Sequence, residues 1–231
     1  MLSIEDLMVC YGTEKAVNKV SLNVSGEVVC LCGRNGAGKS SVLRAVAGLV
    51  EVQSGRISID GQDIMAIPLY KRLEKGIGYV PEDRKLFKEM TVRENIEVAR
   101  IGGKVSGRKE MNIDELLPEL ASLYNRKSKL LSGGQQKLVS IARAIVTSPT
   151  VLLFDELLEG LARSMMVKIS EIVEKIKAEG KDILCAESSL DKASMYADRI
   201  IWLEKGRIVA TGTPSEIKKQ ITDSIKVKCT V

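Results

Sequence analysis

The sequence of 231 residues has no histidine, few aromatic residues and no long apolar run. Aromatics make up 3% of the chain, which argues against nucleic-acid recognition by base stacking, so no nucleic-acid partner is expected. No apolar stretch approaches the ~18 residues that a membrane-spanning helix requires. The N-terminus also lacks the basic-then-apolar layout of a signal peptide, so export of this chain is not expected.

Five cysteines are present, at Cys10, Cys30, Cys32, Cys185 and Cys229. Their number is odd and four of them lie in apolar, strand-like segments, which predicts buried free thiols in a reducing compartment. Cys30 and Cys32 would share one face of a strand. A metal site there would need two more soft ligands, and no histidine is available to supply one, so a structural role is predicted.

The remaining composition is that of an ordinary globular protein. Hydrophobic residues account for 45% of the chain and charged residues for 28%. A chain of this length can form one large domain with a sizeable core, and residues 1–231 are interpreted as a single domain. The net charge of +5 is mild and is attributed to solvated surface lysines.

Hydrophobic periodicity predicts an alternation of strands and helices. Short apolar runs predict strands at Leu2–Val9, Val17–Val24, Val28–Cys32, Ile57–Ile59, Ile77–Val80, Val151–Phe154, Ile183–Ala186, Ile200–Leu203 and Arg207–Ala210. Helical spacing marks Val92–Ala99, Ile113–Leu123, Gln135–Val146, Leu161–Ile176 and Leu190–Ala197. Alternation at both ends of the chain predicts an α/β fold with a mostly parallel sheet, and the helical stretch 83–147 is interpreted as an inserted subdomain.

The strongest functional signal is a glycine-rich loop between a predicted strand and a predicted helix. It fits the pattern G-x-x-x-x-G-K-[ST], in which backbone N–H groups and the helix N-terminus surround phosphate oxygens. Lys39 would reach the β- and γ-phosphates, Ser40 would ligate Mg²⁺, and Ser41 would add a hydrogen bond to phosphate. The predicted phosphate-binding residues of this loop are Gly33, Arg34, Asn35, Gly36, Ala37, Gly38, Lys39 and Ser40.

Two acids, Asp155 and Glu156, follow the apolar strand Val151–Phe154. Ligands of α/β proteins bind at the carboxyl ends of parallel strands, so this strand is expected to end beside the phosphate loop. Asp155 would hold Mg²⁺ through water, and Glu156 would act as the general base that polarises the attacking water. A buried strand with an exposed acidic turn is the alternative, which the phosphate loop disfavours.

A second candidate phosphate site lies at Leu131-Ser132-Gly133-Gly134-Gln135, where Ser132 would cap a helix and the two glycines would leave backbone N–H groups free. Because the chain already has one phosphate loop, a second suggests use in trans. Here the sequence resembles the ABC ATPase family, whose LSGGQ signature stands at Leu131–Gln135. The resemblance covers essentially the whole chain, and the order and spacing of the motifs agree with it.

The resemblance implies an ABC ATPase fold: a mostly parallel core sheet, an antiparallel N-terminal β-subdomain and an inserted helical subdomain. It also implies ATP and Mg²⁺ as cofactors. Tyr11 matches the aromatic residue that stacks on adenine, and Glu82 stands where most members have the Mg²⁺-linked glutamine of the Q-loop. Ser188 stands in place of the switch histidine, and as a neutral donor it would stabilise the transition state less than a protonated imidazole.

The motifs Val80-Pro81-Glu82 and Gly160-Leu161-Ala162 resemble the subgroup that energises branched-chain amino acid uptake. This implies a peripheral protein on the cytoplasmic face of the membrane, paired head-to-tail with a second ATPase subunit, identical or different, on membrane subunits. Relatives serving urea or amides, a soluble non-transport ABC ATPase and a degenerate ATP-binding regulatory partner are the alternatives. The last is motivated by Leu157 and Leu158, which replace a proline and a small hydroxyl residue of the family, and by Ser188.

Overall fold

The computed structural model describes residues 1–102 and 111–228. Within these ranges the strands are β1 (Leu2–Tyr11), β2 (Glu14–Val24), β3 (Val28–Cys32), β4 (Ser54–Ile59), β5 (Gln62–Asp63), β6 (Ile77–Val80), β7 (Val151–Asp155), β8 (Asp182–Glu187), β9 (Arg199–Glu204) and β10 (Arg207–Gly212). The α-helices are α1 (Lys39–Ala47), α2 (Leu69–Arg72), α3 (Val92–Gly102), α4 (Ile113–Leu116), α5 (Gly133–Ile145), α6 (Arg163–Ala178), α7 (Leu190–Ala193) and α8 (Pro214–Lys228). None of the helices in the described ranges is long and apolar enough to cross a bilayer.

The strands form two sheets. The first has the order β2-β1-β4-β5 and is antiparallel throughout. The second has the order β10-β9-β3-β8-β7-β6, in which only the edge strand β10 runs antiparallel to its neighbour. The predicted combination of an antiparallel N-terminal sheet and a mostly parallel core sheet is confirmed.

The central strands are apolar along their whole length because both faces of the parallel sheet are covered. Every residue of β3 is buried, and so is every residue of β7 and β8. One hydrophobic core lies on the face that carries α5 and α6, and the other lies between the two sheets around α1. Alternate residues of a strand therefore enter different cores, which holds the strand ends in place.

The helix predicted over Ile113–Leu123 is wrong in part. It divides into α4 and a 3₁₀-helix at Pro118–Leu123. Proline lacks the N–H that would continue the helix and disfavours helical backbone in the residue before it. The helix predicted over Leu190–Ala197 ends earlier, at Ala193, while α2 and α8 lack a counterpart among the predictions. The division of the chain at 83–147 stays a prediction.

The cysteines agree with the predicted structural role at three positions. Cys30, Cys32 and Cys185 are buried free thiols, and the Sγ atoms of Cys30 and Cys32 lie 3.8 Å apart on one face of β3. Burial raises the pKa of the Cys30 and Cys185 thiols, which makes them poor nucleophiles. Cys10 is half-buried, in contrast to the prediction. Its thiol lies near the surface and donates to Gln53 Oε1 at 2.8 Å. Cys229 lies outside the described residues.

Candidate functional site

The residues predicted to bind phosphate and Mg²⁺ and to act as the base, apart from the signature and Tyr11, follow four adjacent strands of the core sheet at their carboxyl ends. The glycine-rich loop follows β3 and Ser188 follows β8. Asp155 is the last residue of β7 and Glu156 comes directly after it, while Glu82 lies two residues after the end of β6. Neighbouring strands are ~4.8 Å apart, so these segments fall within reach of one another. Strand order therefore brings together residues that are far apart in the sequence.

The glycine-rich loop depends on glycine at its two ends. Gly33 and Gly38 have φ values of +153° and +101°. A Cβ at Gly33 would lie 2.3 Å from the carbonyl oxygen of Leu203, and one at Gly38 would lie 2.3 Å from that of Ala16. Both positions therefore require glycine for backbone conformation and for space.

Lys39 is the first residue of α1 and its side chain turns back into the loop. Its Nζ donates to the carbonyl oxygens of Gly33 at 2.9 Å and Arg34 at 3.2 Å. The same ammonium lies 3.9 Å from Glu156 Oε1. A buried cation is thus held at the centre of the loop, facing the carboxylate that follows β7.

Asp155 is fully buried at the end of β7, and its carboxylate meets two hydroxyl groups. Ser40 Oγ donates to Oδ1 at 2.7 Å and Tyr79 Oη donates to Oδ2 at 3.2 Å. Burial, and secondly the charge of Asp155, raise the pKa of Tyr79. Carboxylate and hydroxyl oxygens are the donors that Mg²⁺ prefers, so Asp155 and Ser40 fit this ion.

Glu156 is nearly buried, and its backbone adopts the left-handed conformation with φ +46°. Its Oε2 accepts hydrogen bonds from Ser188 N at 3.2 Å and Ser188 Oγ at 3.1 Å. Ser188 was expected to donate towards the γ-phosphate. In the structure both of its donors instead hold the carboxylate of Glu156.

These residues surround a single cleft of about 320 Å³. Its lining combines residues from all four strand ends: Asn35, Gly36, Lys39, Ser40, Glu82, Glu156, Glu159 and Ser188. Glu159, which sequence reasoning did not assign to the site, forms an ion pair with Lys192. Tyr11 is 47% exposed at the end of β1, and its hydroxyl accepts from Ser41 Oγ at 3.4 Å. The binding role of each predicted residue stays a prediction.

The signature segment occupies a different surface. Ser132 caps α5 through a reciprocal capping box, in which Ser132 Oγ accepts from Gln135 N and Gln135 Oε1 accepts from Ser132 N. Ser132 and Gly133 are exposed. Among the residues that the structure describes, Ser132, Gly133 and Gly134 are not part of the lining of the cleft. The helix start is therefore available to a second molecule.

Sequence reasoning missed three residues next to the site: Lys137, which contacts Glu156, and the buried pair of Glu187 and Tyr196. Lys137 Nζ donates to the main-chain oxygen of Glu156 at 3.3 Å. Glu187 is fully buried, and its Oε1 accepts from Leu158 N at 3.1 Å and from Tyr196 Oη at 2.9 Å. Two signals in the sequence could have indicated these residues: a lysine on the apolar face of the predicted helix at α5, and a glutamate at the end of the buried strand β8.

Glu187 has a pKa raised to about 7, mainly because burial disfavours the charged form and secondly because of the nearby Glu156 carboxylate. The hydrogen bonds from Leu158 N and Tyr196 and the charge of Lys192 oppose this rise. The folded protein therefore binds a proton here that the unfolded chain releases near pH 4.5. The resulting stability is complete below pH 4.5 and is lost as the pH rises to about 7.

Glu187→Gln is expected to remove this pH dependence. From pH 5 to pH 8 the melting temperature of the parent should fall by several degrees relative to the variant, since ~3 kcal/mol is involved and each kcal/mol shifts Tm by roughly 2–4 °C. Differential scanning calorimetry measures both profiles, with Glu179→Gln, an exposed carboxyl at the end of α6, as the control. Parallel profiles for Glu187→Gln and the parent would contradict the assignment.

Comparison with known proteins places the chain among transport ATPases. The profile of the family described as "ABC transporter" matches residues 17–159. The high-affinity branched-chain amino acid transport ATP-binding protein BraG of Pseudomonas aeruginosa is 36% identical over 219 residues, covering 92% of this chain and 93% of BraG. The lipopolysaccharide export system ATP-binding protein LptB of Haemophilus influenzae is 34% identical over 222 residues, covering 94% and 92% of the two chains.

Solved structures show the same similarity over nearly the whole fold. A nucleotide-free ATP-binding cassette from an ABC transporter is 31% identical with a TM-score of 0.86, covering 100% of this chain and 98% of that chain. A dimeric bacterial ABC transporter cassette is 27% identical with a TM-score of 0.81, covering 93% and 99%. The ABC ATPase fold predicted from the sequence motifs is confirmed. The chain belongs to the ABC transporter family and is one of its ATP-binding, ATP-hydrolysing subunits.

Proposed function

We propose that this chain energises the import of branched-chain amino acids, as one of two ATPase subunits that act head-to-tail on membrane subunits at the membrane surface. The observation that carries the ATPase part of the proposal is the cleft of about 320 Å³, which combines Lys39 and Ser40 with Glu156 and Ser188. Phosphate-binding, metal-binding and base functions are thereby available in one place.

The residue roles follow from this geometry. Lys39 and the backbone of Gly33–Gly38 would hold the phosphates of ATP. Asp155 and Ser40 would hold Mg²⁺, with Glu82 as a further oxygen donor at the same cleft, and the ion would neutralise charge on the phosphates. Glu156 would accept a proton from the attacking water, because its carboxylate lines the cleft 3.9 Å from the ammonium of Lys39 that would hold the phosphates, and Ser188 keeps it in that position.

Head-to-tail pairing is supported by the separation of the signature from the cleft. Ser132 and Gly133 are exposed at the N-terminus of α5, where backbone N–H groups and the helix dipole attract an anion. A second ATPase subunit facing this helix start would bring its own nucleotide against Ser132–Gly134. The dimeric cassette that this chain resembles supports the pairing of two such subunits.

Import of branched-chain amino acids is supported by the similarity to BraG, together with the motif Val80-Pro81-Glu82. The similarity to LptB favours a second candidate, an export system of the lipopolysaccharide type, at nearly the same identity. A degenerate, non-hydrolysing role is opposed by Glu156, which lies in the cleft with both hydrogen bonds from Ser188.

Uptake measurements separate the two substrate classes. Cells of the native host that lack this chain are expected to lose ATP-dependent uptake of radiolabelled leucine, isoleucine and valine, and to regain it with the parent chain but not with Glu156→Gln. Uptake of urea is the control for substrate class. Unchanged amino acid uptake in the deletion strain, together with a loss of lipopolysaccharide at the cell surface, would refute the import proposal in favour of the export candidate.

A further inference from the structure

Lys137 is a buried lysine that none of the roles described above uses. It is the fifth residue of α5, and its exposed fraction is 1%. Burial, and secondly the charge of Arg84, lower the pKa of its ammonium to about 8. Glu187, Asp155 and Glu82 oppose this lowering, so the ammonium faces the acidic residues around the cleft. Burial of a charge costs free energy, so a buried lysine at this position is expected to have a specific role.

The hydrogen bond of Lys137 reaches the backbone of the proposed base. Its Nζ donates to the main-chain oxygen of Glu156 at 3.3 Å, and Glu156 N donates to Ala186 O at 2.9 Å. Glu156 has a φ of +46°, a left-handed conformation that side-chain-bearing residues adopt at a cost unless their surroundings hold them there. Lys137 thus holds the carbonyl group of this strained residue and Ala186 holds its N–H group.

Helix α5, which carries Lys137 in its first turns, begins in the signature. Lys137 lies one helical turn after Gly133, and helical side chains tilt towards the helix N-terminus. The capping box of Ser132 and Gln135 joins the signature to this first turn. A displacement of Ser132–Gly134 will therefore be carried through the rigid first turn to Nζ of Lys137.

We propose that Lys137 couples the two composite nucleotide sites of the head-to-tail pair. When Ser132–Gly134 close on the nucleotide of the partner subunit, Lys137 moves with α5 and sets the backbone of Glu156 in this chain's own site. Lys137 is then a positioning residue: it touches Glu156 and does not touch nucleotide. The inference rests on the proposed head-to-tail pairing.

A purely structural role for Lys137 makes a different prediction. A lysine that only fills space would be replaced by methionine, which has a similar unbranched stem, without a specific effect on turnover. A positioning lysine would affect turnover and the dependence of one site on the other, while ATP binding at Lys39 stayed intact. Kinetics therefore distinguish the two roles.

The test uses the complex purified from the native host through a tag on this chain. Lys137→Met is expected to lower kcat on the order of 10- to 100-fold, because displacement of a base by ~1 Å is sufficient for such a loss. The KM for ATP should stay within about threefold. The Hill coefficient for ATP should fall towards about 1, since the coupling free energy is removed. Lys137→Arg, which keeps charge and donors, should restore kcat to within about threefold of the parent.

Arg143→Met is the matched control, because Arg143 is a cation on the same helix whose guanidinium donates to the carbonyl of Lys85 at 2.7 Å and not to Glu156. Its kcat and Hill coefficient are expected to match those of the parent. If Lys137→Met unfolds at a markedly lower temperature, Lys137→Leu, which also lacks a donor, takes its place in the same measurements.

Two outcomes overturn the inference. A folded Lys137→Met variant with parental kcat and Hill coefficient shows that Glu156 does not depend on Lys137. A folded Lys137→Met variant that loses kcat but keeps the parental Hill coefficient shows that Lys137 does not couple the two sites. Failure of head-to-tail pairing itself appears separately, as the absence of ATP-driven association between subunits that carry Glu156→Gln.

Discussion

Glu156→Gln is expected to retain ATP binding, to lose hydrolysis by a factor on the order of 10² to 10⁴, and to accumulate as a closed dimer with Mg-ATP. The amide cannot accept the proton of the attacking water. The phosphate contacts of Lys39 and the glycine-rich loop remain, and loss of the negative charge relieves repulsion with the γ-phosphate. Since Ser188 bonds Oε2, the amide oxygen can accept the same two hydrogen bonds, so the variant should fold normally.

Single-turnover hydrolysis and size-exclusion chromatography with Mg-ATP check this expectation. Glu171→Gln, on the exposed side of α6, is the control for loss of a carboxylate outside the site. Hydrolysis at the parental rate would show that Glu156 is not the base. A Glu156→Gln variant that stayed monomeric even with the partner ATPase subunit would contradict head-to-tail closure.

Lys39→Ala is expected to weaken ATP binding by roughly 30- to 150-fold, which corresponds to the ~2–3 kcal/mol of a charged hydrogen bond. Its ammonium is the buried cation that the loop holds with the carbonyls of Gly33 and Arg34. Removal leaves those carbonyls next to the open cleft, where water can reach them, so the folded state should lose little stability. Transport should be abolished.

Isothermal titration calorimetry with ATP and Mg²⁺ measures the affinity, and thermal denaturation measures folding. Lys39→Met, which retains most of the stem, isolates the effect of the charge, and Lys175→Ala on the exposed side of α6 is the control. An affinity within about threefold of the parent for both Lys39 variants would contradict the assignment of the loop, since a charged contact is worth more.

The fold was predictable wherever its determinants are consecutive residues. The strands Val28–Cys32 and Ile77–Val80 were placed at their observed limits, because short apolar runs bounded by glycine or proline are local signals. The division of the helix predicted at Ile113–Leu123 is also readable from Pro118, which cannot continue a helix, although the apolar periodicity runs through it. Helix α8 was missed because Ile217 is the one buried residue within 214–222, the part of the helix whose burial the structure describes.

The site was predictable only in part because much of it depends on strand order. Lys39, Ser40, Asp155 and Glu156 belong to motifs whose spacing is local. Lys137 meets Glu156 across 19 positions of sequence, and Glu187 meets Leu158 across 29. The Glu187 contact arises because β8 pairs with β7, and the Lys137 contact arises because α5 packs on the sheet beside the end of β7; the sequence states neither arrangement.

The hydrogen bonds that residue 188 makes with Glu156 have a consequence for evolutionary tolerance. One donor is the side-chain hydroxyl, but the other is the main-chain N–H, which every amino acid except proline supplies. Half of the support for the carboxylate is therefore independent of which side chain stands at this position. Drift at position 188 away from an imidazole can proceed without releasing the base, so the identity of this residue is a poor guide to whether a homologue hydrolyses ATP.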